Sequence, residues 1–76
     1  MDFDLVELYD DFKNLADQLD CRQIAELYRE DKIKDGGFEI IKLMNESITL
    51  KSKMFTVFIT KGVGVSFVAI KKNKEY

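Results

Sequence analysis

The chain has 76 residues, with 12 Lys and Arg, 14 Asp and Glu, no His, Pro or Trp, and one Cys. That length holds one domain. The absence of His removes an imidazole base, an imidazole metal ligand and a histidine switch, and a single Cys removes an internal disulfide or a cysteine zinc site.

Apolar residues make up 46% and charged residues 34% of the chain, a composition that folds rather than staying disordered. The net charge of −2 hides a split. Residues 1–31 hold ten acids and three bases, a net of −7, whereas residues 32–76 hold four acids and nine lysines, a net of +5. No stretch approaches the ~18 apolar residues of a membrane span. Asp2, Asp4 and Glu7 stand where a secretion signal would be basic, so a cytoplasmic protein is expected.

In chain order, the first element is a helix. Leu5, Leu8, Tyr9, Phe12, Leu15, Ala16 and Leu19 recur at three- and four-residue spacing and make one stripe. Asp4 is placed as its N-cap, with Glu7 three residues on to complete a capping box and Phe3 and Leu8 as the hydrophobic staple. The same signature recurs at Asp20 with Gln23, flanked by Leu19 and Ile24, so the helix is expected to break there and a second to begin. The second helix carries Cys21, Ile24, Ala25, Leu27 and Tyr28 on one side and ends before Asp35-Gly36-Gly37.

The lysine-rich half is expected to form strands. Phe38–Met44, Ile48–Lys51, Met54–Thr60 and Val65–Ile70 are apolar, alternating or β-branched. Lys61-Gly62-Val63-Gly64 is a hairpin turn. The connections near Asn45-Glu46 and Ser52-Lys53 lack Gly, so residues 47–60 read either as two strands or as one bent strand. The expected fold is α+β: two N-terminal helices packed on one face of a three- or four-stranded antiparallel meander. The single domain, 1–76, divides into an acidic helical half (1–31), a lysine-edged sheet (38–70) and a polar tail (71–76) expected to fray. Phe55, Val57 and Ile59 share one strand face, and Met54, Phe58 and the threonines take the other. Both faces of the last two strands are fairly apolar, so a face left bare by the helices invites a second copy of the chain or a partner.

No catalytic constellation stands out, and no cofactor or metal is called for. Asp10 and Asp11 diverge by about 100° on a helix, which makes them a poor metal pair. Glu7, Asp10, Asp11 and Asp17 read as a solvated face before they read as a magnesium site. Gly62-Val63-Gly64 has a strand after it where a phosphate loop needs a helix N-terminus. Cys21 lies at a helix start beside Arg22, which lowers a thiol pKa, but also on the apolar stripe, where a thiol behaves as a small hydrophobe. Leu15–Ala25 resembles part of a helix-turn-helix, with Asp20 where that turn usually has Gly and with acids where a DNA-reading helix needs cations.

What remains is charge. Glu7, Asp10, Asp11, Asp17, Glu26 and Glu30 form an acidic helical stripe suited to a protein partner with a basic surface. The expected function is non-enzymatic protein binding, including inhibition of a nucleic-acid-processing enzyme in the manner of small phage- or mobile-element-type inhibitors. Two alternatives stand beside it. One is nucleic-acid binding through the lysine-rich sheet, using Lys42, Lys51, Lys53, Lys61, Lys71 and Lys72 with the nearby phenylalanines. The other is a structural subunit of a larger assembly or a homodimer joined through the apolar sheet face.

Overall fold

The computed structural model describes residues 3–29 and 37–73, with side chains from residue 5 onward. Helix α1 spans Phe3–Gln18 and helix α2 spans Cys21–Arg29. Strands β1 (Glu39–Leu43), β2 (Ser47–Lys51), β3 (Phe55–Gly62) and β4 (Val65–Lys72) form one antiparallel sheet in the order β1-β2-β3-β4. The fold is therefore α+β, two N-terminal helices packed against a four-stranded meander. α1 lies along β4 and α2 against β1 and β2, so the helices cover opposite edges of the same sheet face.

The local signals explain the elements. α1 begins at Phe3, so Asp4 stands inside the helix rather than before it, and the side chains of Phe3 and Asp4 lie outside the described residues. At Asp20 the capping box forms in full. Gln23 N–H donates to Asp20 Oδ1 at 2.9 Å, and Asp20 N–H donates to Gln23 Oε1 at 3.0 Å. Two of the donors that a helix start leaves open are satisfied at once. The end of the second helix, expected before Asp35, lies outside the described residues.

The period of two in the strands sorts the sheet. Ile48, Leu50, Val57 and Ile59 are fully buried and face the helices, where they meet Phe12, Ala16, Cys21, Ile24 and Ala25. Each large aliphatic buried in this way contributes about 1.5–3 kcal/mol. Phe12, Tyr28 and Phe38 close one side of the core, with ring centroids 5.2 Å apart for Phe12–Phe38 and 6.1 Å for Phe12–Tyr28.

One open reading of the strands is resolved and two expectations change. Residues 47–60 are two strands, separated by a turn that needs no Gly because side chains hold it. Phe55 N–H donates to Ser52 Oγ at 3.1 Å, and Asn73 Nδ2 donates to the Ser52 carbonyl at 3.0 Å. The final hairpin is tighter than Lys61–Gly64. Lys61 pairs with Ser66 and Gly62 with Val65, leaving Val63-Gly64 as the loop, with Gly64 at φ +71. The sheet also continues past Ile70. Lys72 pairs with Phe55, and Asn73 N–H donates to the Met54 carbonyl at 2.8 Å, so residues 71–73 are held rather than frayed. Residues 74–76 lie outside the described residues.

Candidate functional site

Two exposed surfaces lie on opposite sides of the molecule. The first is the outer face of α1. Glu7, Asp10, Asp11 and Asp17 are all exposed, and helical spacing sets them opposite the buried Phe12 and Ala16. Among the described residues the ion pair on this face is Lys13–Asp17, at 3.2 Å. Lys13 is also turned toward the sheet, where its ammonium donates to the Ser66 carbonyl at 2.9 Å.

The acidic set does not stay together. Glu26 is exposed on α2, on the far edge of the sheet, and shares a surface depression with Arg22, Arg29 and Leu43. Its surroundings are thus mixed in sign. Glu30 lies outside the described residues. No group of three or more acids or cysteines that could hold a metal ion occurs among the described residues.

The second surface is the bare face of the sheet. Pairing places Ser47, Thr60 and Phe67 in one cross-strand row, Thr49, Phe58 and Ala69 in the next, and Lys51, Thr56 and Lys71 in a third. Phe58 and Phe67 are 42% and 59% exposed, although both are bulky aromatics on central or edge strands. A β-bulge in β1, where the register shifts between Ile40 and Lys42, places Lys42 opposite Thr49 on this face. Glu39, opposite Lys51, is the strand acid here. An open depression of about 430 Å³ is lined by Ile41, Lys42, Thr49, Phe58 and Thr60.

The lysine set is divided as well. Lys42, Lys51 and Lys71 share the bare face, Lys53 is exposed in the β2–β3 turn, and Lys72 pairs with Phe55 on the side of the helices. Lys61 does not belong to the exposed set. Its register is one residue out of phase with Thr60, so it points toward the helices, where its ammonium donates to the Ala16 carbonyl and, at 3.0 Å, to Ser66 Oγ. In its sequence context the distinguishing signal is alternation, which groups it with Ile59; its place opposite Ser66 comes from the register.

Cys21 is fully buried in the core. Burial pushes its thiol above the ordinary 9.0, with Asp20 and Glu46 adding to the effect and Lys61 opposing it. The net lowering expected from a helix start beside Arg22 does not occur: desolvation leads, the opposing charge is Lys61, and the thiol is a packing group. No helix among the described residues is long and apolar enough to cross a membrane. No family model, curated protein or solved structure matches the chain.

Proposed function

We propose that the chain is a non-enzymatic binding module that docks on a basic surface of a protein partner through the outer face of α1. The observation that supports this reading is the placement of Glu7, Asp10, Asp11 and Asp17 on one exposed side of a helix whose other side is locked into the core. A row of carboxylates on a helix whose backbone the core already orders raises the association rate with a cationic surface and disfavours anionic ones. Enzymes that process nucleic acid carry such cationic grooves. A module seated there competes with nucleic acid, which makes inhibition the expected consequence. Glu26 contributes less, because Arg22 and Arg29 surround it.

The test is capture of a partner from lysate by the tagged full chain, compared with Asp10→Lys, Asp11→Lys and Asp17→Lys combined. These exposed positions are expected to tolerate the change without loss of fold, which circular dichroism checks. Loss of capture, and weakening of wild-type capture as salt rises, support the reading. Undiminished capture by the charge-reversed chain overturns it.

A further inference from the structure

We infer that the bare face of the sheet is a binding platform for single-stranded nucleic acid, with Phe58 and Phe67 stacking on bases and Lys42, Lys51 and Lys71 contacting phosphates. Phe58 lies opposite Ala69 and Phe67 opposite Thr60, so the two rings are diagonal neighbours on β3 and β4. Diagonal positions on one sheet face are about 7–8 Å apart, and the Phe67 ring leans toward Gly62, where a Cβ would lie 3.4 Å from its Cε2, so the two rings stand apart as separate stacking faces for unstacked bases. Both rings are large, exposed and uncovered by either helix. Their neighbours Ser47, Thr49 and Thr60 carry hydroxyls, which hydrogen-bond to sugars and base edges.

Charge complementarity selects this occupant over a second copy of the chain paired bare face to bare face, which would set lysines against lysines. Lys51 and Lys71 stand in the row next to Phe58, on either side of Thr56, and Lys42 borders the same row as Phe58 across Thr49. Lysine is depleted from the dry centre of protein interfaces, whereas aromatics set among lysines are the composition of a single-strand groove. Against these three cations the strand acid on this face is Glu39. The carboxylates of α1 lie on the opposite side of the molecule, beyond the core, and do not oppose a strand bound here.

The experiment is fluorescence anisotropy of a labelled oligothymidylate and an oligouridylate of about 12 nucleotides, within the usual site size of a single-strand binder. Binding is expected at low salt, with a slope of log K against log salt of about −2, the value for three phosphate contacts on a single strand. Phe58→Ala and Phe67→Ala are each expected to weaken binding about tenfold. Phe58→Leu, which keeps apolar bulk but not the π-face, is expected to weaken it nearly as much. The Lys51→Glu, Lys71→Glu pair is expected to reduce both affinity and slope. The α1 charge-reversed chain is expected to bind oligonucleotide at least as well as the wild type, which separates this surface from the one proposed above. Absence of wild-type binding at low salt, equal affinity for a duplex, no effect of the phenylalanine variants, or a dimer in sedimentation that oligonucleotide fails to displace would each overturn the inference.

Discussion

Ser66 Oγ donates to the Ala16 carbonyl over 3.0 Å, joining β4 to the last turn of α1 across 50 residues of sequence. In a continuous helix that carbonyl would accept from the N–H of residue 20. Asp20 N–H is committed instead to Gln23 Oε1. The capping box that starts α2 therefore leaves a carbonyl of α1 open, and the carbonyl belongs to a residue with no exposed surface. Ser66 and Lys61 fill the gap from the neighbouring strands.

Removing either donor leaves the other. Ser66→Ala and Lys61→Met are each expected to destabilise the fold by about 1 kcal/mol. The double variant leaves the buried carbonyl unpaired and is expected to exceed the sum of the singles by about 1 kcal/mol. Urea unfolding of the four proteins gives the coupling, and simple additivity would mean that the two donors act independently.

The capping box has its own signature. Asp20→Ala is expected to lose about 1 kcal/mol, whereas Asp20→Asn, which keeps an acceptor oxygen, is expected to lose far less. A shift in urea midpoint that is equal for the two variants would point to the charge of Asp20 rather than its hydrogen bond to Gln23.

Cys21 links stability to alkaline pH. Its folded pKa is raised, so the folded chain retains the thiol proton at a pH where the unfolded chain releases it. The contribution is fully present below the unfolded pKa and is lost as pH rises through the folded value. Wild type is therefore expected to lose stability above the thiol's ordinary 9.0 more steeply than Cys21→Ala, measured by denaturant unfolding at each pH. The thiol is also expected to react with a disulfide reagent only as fast as the chain opens. Rapid labelling of the native protein would contradict the burial.

Asn73 clamps a turn that has no glycine. It donates to the Ser52 carbonyl and accepts from Thr56 Oγ1 at 2.6 Å. Asn73→Ala is expected to destabilise the fold by about 1–2 kcal/mol and to speed amide exchange across Ser52–Phe55. Unchanged exchange there would show that the hydroxyl of Ser52 suffices.

The helices and the last hairpin were legible because their signals are local. The stripe through Phe12 and Ala16, the Asp20–Gln23 box and the glycine of the Val63-Gly64 loop act over a few residues each. The β2–β3 turn was ambiguous for the converse reason. Its stabilising amide comes from Asn73, which is far away in sequence and looks like part of a polar tail. Of the candidate sites, the exposure of the α1 acids followed from helical spacing. Lys61 was misplaced among the surface lysines, because alternation groups it with Ile59 but does not say that an open carbonyl waits opposite.

By itself the sequence determined the element types and the charge split between the two halves, since each follows from residue type and short-range period. The tertiary structure decided which sheet face the helices cover. Val57 and Ile59 align through the register with Ile48 and Leu50 into one buried layer, and Phe58 and Phe67 are left outside. It also decided which charges are free. A side chain's partner is set by what the fold brings beside it, so Lys61 became part of the core's hydrogen bonding, while Lys42, Lys51 and Lys71 remained on the open face.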